Sequence, residues 1–177
     1  MSESARKTYS DVEAVDILHQ VSSLYIGTKA PHDYGTGEKY TVVEVHTLKY
    51  IADHFGITVT QLAKDYGKTK GAVSQILKKL EAKGLVYREV DPDNDNRYHL
   101  FLTEKGKELD HAHRSYDAVS FGESMNLMRE RFSQADLDIA FAVLEGWLAV
   151  RREVQQNRLR RKKQLEKQKR KAALEQE

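Results

Sequence analysis

Apolar side chains recur at helical spacing in six stretches of this sequence, separated by short polar or glycine-bearing breaks. From Asp11 to about Thr28, one row holds Ala14, Ile17, Leu18, Val21, Leu24 and Tyr25, and Val12, Val15 and Ile26 form a second row beside it. A helix apolar around so much of its circumference needs two partners. Residues 30–37, APHDYGTG, are rich in turn formers and break the pattern. It resumes over Thr41–Phe55 with Val42, Val45, Leu48, Ile51, Ala52 and Phe55, headed by Thr41-x-x-Glu44 in the form of a capping box and ended by Gly56.

Ile57 to Val59 reads as a short strand, after which Thr60 is expected to cap a short helix that buries Leu62, Ala63 and Tyr66 and ends at Gly67. Thr69 caps the next helix. There Val73, Ile76, Leu77 and Leu80 turn inward, leaving Gly71, Ser74, Gln75 and Lys78 on a common outer face. A short helix, a tight turn and a polar-faced helix make a helix-turn-helix. Leu85 to Val90 and Tyr98 to Leu102 read as two strands around the polar turn DPDNDN.

Thr103 caps a long helix in which Leu109, Ala112, Tyr116 and Val119 keep one phase. Met125, Met128 and Phe132 continue it after an offset near Gly122, where a kink is expected. Ser133 starts the last helix, with Leu137, Ala140, Phe141, Leu144, Trp147 and Leu148 as its apolar positions and Ser133-x-x-Asp136 at its head. Beyond Val154 the apolar row fades into RLRRKKQLEKQKRK, which stays helical by propensity with little to bury. The whole is a mainly α fold with a small β-hairpin wing.

Composition narrows the chemistry. With 177 residues, 40% of them hydrophobic, the chain supports a single core. The absence of cysteine removes disulfides, thiolate zinc sites and thiol redox sensing. No apolar run suits a signal peptide or a membrane span, so a cytoplasmic location is expected. The net charge of +2 hides an asymmetry: residues from Arg151 onward carry +7, leaving −5 on the first 150. Against that acidic body, residues 60–90 hold Lys64, Lys68, Lys70, Lys78, Lys79, Lys83 and Arg88 with only Asp65, Glu81 and Glu89. A basic face on an acidic body is what phosphate binding by one surface requires, and with the helix-turn-helix it points to double-stranded DNA.

The run from Val59, VTQLAKDYGKTKGAVSQILKKLEAKGLVYREVDPDNDNRYHLFLTEKG, resembles the DNA-binding domain of the MarR family of bacterial transcription regulators. The most specific parts are LEAKGLVYR, the D-x-R of Asp95 and Arg97, and LTEKG. The resemblance implies a cytoplasmic homodimer, a winged helix-turn-helix plus a helical dimerization region. It also implies a regulator, expected to be a repressor, that binds a pseudopalindromic operator and is released by a small aromatic or acidic effector. The wing is one residue shorter between Arg97 and the Leu-Thr pair than the family commonly has, and the basic tail lies outside the resemblance.

On this reading residues 1–10 are a disordered N-terminal segment and 11–37 the first dimerization helix and loop. Residues 38–107 are the winged helix-turn-helix, 108–154 the helical dimerization region and 155–177 a basic C-terminal extension. The expected DNA-binding set is Thr69, Lys70, Gly71, Ser74, Gln75, Lys78, Lys79, Asp95 and Arg97. Gly71 lets backbone approach a phosphate, Ser74 and Gln75 have the length to reach base edges, and Lys70, Lys78 and Lys79 neutralise phosphates. By resemblance Arg97 enters the minor groove, with Asp95 orienting it.

Tyr25, His32, Tyr34, Tyr40 and His46 cluster where the first helix, the following loop and the second helix meet; by resemblance they are the expected effector site, an aromatic pocket with polar tips, and the alternative is that they close a dimer interface. Glu44 with His46, and His111 with His113, lack the spacing that lets one helical face bite a metal, so no metal or other cofactor is assigned. There is no phosphate loop, nucleophile elbow or metalloprotease helix, and no enzyme is expected. Two alternatives stay open: a metal-responsive regulator of the same fold, and a winged-helix protein-interaction module whose basic tail tethers it to nucleic acid.

Overall fold

The computed structural model of the chain describes residues 8–26 and 30–174, without the side chains of residues 25, 26, 95, 96, 167 and 169–174. The elements in order are α1 (Asp11–Ile26), β1 (His32–Asp33), β2 (Lys39–Tyr40), α2 (Val42–Asp53), α3 (Val59–Asp65), α4 (Lys70–Ala82), β3 (Val86–Asp91), β4 (Asn94–Leu102), α5 (Glu104–Arg131) and α6 (Gln134–Leu174). The mainly α fold with a two-stranded wing is as the apolar pattern indicates.

The core sits inside the helix-turn-helix. Leu48 and Ile51 of α2, Leu62 and Ala63 of α3, Val73, Leu77 and Leu80 of α4, Leu85 just before β3, Val86 of β3, Leu100 of β4 and Leu109 of α5 form one buried cluster. Thr41 closes the capping box on α2, its side chain accepting from the Glu44 N–H while the Glu44 carboxylate accepts from the Thr41 N–H at 2.8 Å. The other Glu44 oxygen meets Lys83 Nζ at 2.7 Å, which ties the start of α2 to the end of α4.

Two of the motifs behind the family resemblance touch each other. The Thr103 hydroxyl donates to the Gly84 carbonyl at 2.6 Å and the Thr103 N–H to the Leu85 carbonyl at 3.1 Å. A Cβ on Gly106 would lie 2.1 Å from that same Leu85 oxygen. Glycine is therefore required where the first turn of α5 seats on the exit from α4.

Several sequence expectations change. Thr58, not Thr60, caps α3, accepting from the Gln61 N–H at 3.2 Å. The cause lies in the wing: the Leu100 N–H bonds the Ile57 carbonyl at 3.0 Å and Thr58 bridges His99, so the chain stays extended up to Thr58. The expected strand at 57–59 is reduced to that bridge. Residues 30–37 are part of a small hairpin, β1 against β2, whose turn is held by Asp33 Oδ1 accepting from the N–H groups of Gly35, Thr36 and Gly37.

In the wing, β3 and β4 pair antiparallel from Val86↔Leu102 to Asp91↔Asn94, with a bulge at Val90/Asp91, so the turn is shorter than DPDNDN. Helix α5 runs as one helix through Gly122. Its buried row is Gly106, Leu109 and His113, rather than the expected Leu109, Ala112, Tyr116 and Val119. Ser133 heads α6 as expected, accepting from the Asp136 N–H at 3.2 Å. That helix continues without a break through residue 155 into the basic segment.

Candidate nucleic-acid interface and adjoining cleft

Helix α4 begins where Thr69 Oγ1 accepts from the Ala72 N–H at 3.1 Å, which makes Thr69 a helix start first. Val73, Leu77 and Leu80 pin it to the core, so Thr69, Lys70, Gly71, Gln75, Lys78 and Lys79 are exposed together and Ser74 is half-buried. Gln75 and Lys79 also edge a groove of about 470 Å³ against Thr41, Val42 and Val43 at the head of α2. Not all of the expected basic face is available. Lys83 is committed to Glu44 and Arg88 to Glu81, leaving Lys64, Lys68, Lys70, Lys78 and Lys79.

The Lys83 link also sets the state of Glu44. Burial pushes its carboxyl up, but Lys83 and the Thr41 N–H and hydroxyl outweigh that and hold it below the usual carboxylate range. Glu44 is thus an anion inside the domain, tying the head of α2 to the end of α4.

At the wing, Arg97 is more than half exposed and donates from Nη1 to Asp91 Oδ2 at 3.3 Å. The expected orienting residue, Asp95, has its side chain outside the described residues. Asp91 is buried at 6% exposure and also meets His99 Nε2 at 2.9 Å, while His99 Nδ1 lies 2.6 Å from the Gly56 carbonyl. Those partners raise the His99 imidazole, the Gly56 carbonyl contributing most and Asp91 next, and His99 in turn lowers Asp91. A charged His99 donating from both ring nitrogens clamps the wing to the loop after α2. This clamp was not read from the sequence, where Asp91 passed for one more turn carboxylate.

A cleft of about 880 Å³ opens between α1, the β1 strand, α2 and α5. Of the residues expected there, His32, Tyr34 and His46 line it. Tyr40 does not: it is buried at 1% exposure, its hydroxyl donates to Glu38 at 2.8 Å, and Lys83 Nζ sits 4.9 Å over its ring. Tyr40 instead packs in the core cluster, although its strand partner His32 reaches the cleft. The Tyr25 side chain lies outside the described residues.

The wall that sequence reasoning missed comes from α5: His113, Arg114, Tyr116 and Asp117. His32, Tyr34, His46, His113 and Tyr116 form one edge-to-face cluster with ring centroids 4.8–5.3 Å apart. His113 is buried at 1% exposure, and burial lowers its pKa, so the ring is neutral. Its Nε2 faces Asp117 at 3.4 Å, and its Nδ1 has no hydrogen-bond partner among the described residues. The two cations on the rim are already paired, Lys49 with Asp53 and Arg114 with Asp53 and Asp110. Among the described residues no group of three histidine or acidic side chains could hold a metal, and no helix is long and apolar enough to cross a membrane.

A family model described as the MarR family matches residues 39–97, the helix-turn-helix and most of the wing. The Bacillus subtilis (strain 168) protein YhjH, an uncharacterized HTH-type transcriptional regulator, is 33% identical over 84 residues, 48% of this chain and 48% of its own. YdgJ of the same strain, named in the same terms, is 37% identical over 99 residues, 54% of this chain and 57% of its own. The chain thus spans about half the length of the curated relatives it matches. Among solved structures, S. aureus MepR in its DNA complex superposes with a TM-score of 0.59 at 27% identity, covering 82% of this chain and 99% of that one. Residues 39–97 are thus similar to the MarR family, and the fold as a whole is similar to that of S. aureus MepR, a winged helix-turn-helix protein solved with DNA.

Proposed function

We propose that the protein is a transcription regulator that binds duplex DNA as a homodimer, placing α4 of each subunit in a major groove and each wing in a flanking minor groove. The observation that carries this is the exposed polar face of α4, with Gln75 exposed and Lys78 and Lys79 in no ion pair among the described residues, followed in the same domain by a wing arginine held by a buried aspartate. The S. aureus MepR structure, a relative in fold, is of a complex with DNA and supports the reading. Gln75 suits a bidentate contact to adenine, and Lys70, Lys78 and Lys79 suit phosphates. Two-fold symmetry calls for a pseudopalindrome with half-site centres about 10 base pairs apart or a multiple of that.

In this reading residues 38–107 are the DNA-binding unit, and residues 11–37 with 108–154 build the dimer. Repression follows most simply, because occupying a promoter needs no further contacts, and a bacterial DNA partner puts the protein in the cytoplasm. The cleft is the effector site. With its cations already paired and its wall aromatic, it suits a flat aromatic molecule better than a small acid. A hydroxyl donor on that molecule would satisfy His113 Nδ1.

The test is binding to a fragment bearing the protein's own promoter against random duplex. Gln75→Ala should cost about 1–3 kcal/mol on the preferred site and little on random DNA. Lys78→Ala should weaken both alike, since a phosphate contact carries no sequence information. A Gln75→Ala protein with unchanged preference would remove that residue from base reading, and a wild-type protein with no preference at moderate salt would sink the function.

A further inference from the structure

We infer that the C-terminal half of α6 is a third DNA-contacting element, a basic helix docked beside the helix-turn-helix so that it reaches the phosphates flanking each half-site. The inference rests on the DNA-binding reading and adds a surface to it.

The docking is visible residue by residue. Burial raises the hydroxyls of Tyr50 and Tyr66, and Arg152 lies close enough to both for its charge to oppose that rise. Three residues on, the Gln155 side chain fills the space beside Gly67, with Oε1 only 2.8 Å from where a Cβ would stand. Gln156 Nε2 donates to the Lys64 carbonyl at the end of α3. Gln156 and Leu159 are half-buried although nearly all of α6 around them is exposed. Positions 152, 155, 156 and 159 are spaced i, i+3, i+4 and i+7, so one face of α6 lies along α2 and then on the turn between α3 and α4. That turn leads directly to Thr69 and the N-terminus of α4, the end of a recognition helix that meets base edges.

Charge then identifies what α6 meets next. Between Glu153 and Glu166 there are five basic residues, Arg158, Arg160, Arg161, Lys162 and Lys163, and no acidic one, and all five are exposed. Lys162 and Lys163 follow Leu159 by three and four positions, so they continue the docked face, about 10 Å further along the axis than Gln156. Lys64, Lys68 and Lys70, on and around the turn that Gln155 and Gln156 touch, are exposed as well. Like charges at i, i+4, such as Arg158 with Lys162, oppose helix formation, and a polyanion alongside relieves that repulsion.

The experiment uses the full-length protein on preferred and random duplexes across about 50–200 mM salt, where phosphate neutralisation dominates the change in affinity. Replacing all five basic residues by glutamine should weaken both duplexes by the same factor, leave the preference intact and lower the log-log salt slope by about 0.9 for every phosphate that is no longer neutralised. Gln155→Ala/Gln156→Ala keeps every charge and frees the helix. It should remove hydroxyl-radical protection of the backbone flanking each half-site while leaving protection within the half-sites. Equal salt slopes for wild type and the five-fold variant, or flanking protection that survives undocking, would overturn the inference. If those results came with Gln75→Ala still losing preference, the DNA reading would stand and only the arm would fall. A wild-type protein with no salt-dependent duplex binding would take both down.

Discussion

Gly71 separates what a residue does for the fold from what it does for a ligand. A Cβ there would meet nothing nearer than Thr69 Oγ1 at 4.0 Å, so the domain has room for one. Gly71→Ala should therefore raise stability by up to about 1 kcal/mol through helix propensity. It should weaken duplex binding, because a side chain would hold the backbone away from a phosphate. Chemical denaturation and DNA titration of the same preparation check both halves, and unchanged affinity would mean that α4 never approaches DNA at that point. Gly106 is the opposite case. There alanine would drive a methyl into the Leu85 carbonyl and should cost about 2 kcal/mol or more, as overpacking does where backbone must move. A midpoint of urea unfolding equal to wild type would disprove that close approach.

Among the elements, the wing has the clearest dependence on conditions. His99 bridges the Gly56 carbonyl and Asp91, and Asp91 also holds Arg97, whose positive charge opposes protonation of the ring. The folded pKa of His99 is raised, so its contribution is complete below the ordinary value of 6.5 and is lost as pH rises through the folded pKa. Above it, a neutral ring can donate from only one nitrogen and must release either the loop or Asp91. Melting temperature should fall with rising pH across that range in wild type, and His99→Gln should flatten the fall. An identical pH profile in the two proteins would mean the clamp holds without its charge.

For the molecule as a whole, the apolar faces of α1 and α6 call for a cover. Val12, Val15, Ile17, Val21 and Leu24 of α1 and Phe141, Leu144, Trp147 and Leu148 of α6 are all at least 38% exposed in the single chain. In the proposed homodimer the second subunit would bury this surface. Trp147→Ala should lower both dimer content and melting temperature, with effects that shrink as protein concentration rises. Sedimentation of wild type as a monomer at micromolar concentration would refute the assembly.

Local signals were legible in the sequence because their physics is local. Thr41, Thr69, Thr103 and Ser133 mark helix starts through hydrogen bonds to groups three residues away, and the outer face of α4 follows from 3.6-residue periodicity. The helix-turn-helix, the wing and the uneven charge were therefore readable from composition and spacing alone. What escaped depends on partners distant in the chain. Thr58 displaced Thr60 as a cap because a wing strand 41 residues later holds the chain extended. Tyr40 left the cleft because it packs in the core cluster under Lys83, 43 residues later in the chain, and His113 entered the buried row because an apolar count passes over a histidine. Asp91 joined Arg97 and His99 through the wing bulge, and α6 came to lie on Gly67 and Lys64, some 90 residues upstream of the glutamines that touch them. Sequence determined which segments are helices and which faces they offer. Tertiary packing alone decided which side chains meet across them, since only folding brings residues so far apart to within hydrogen-bonding distance.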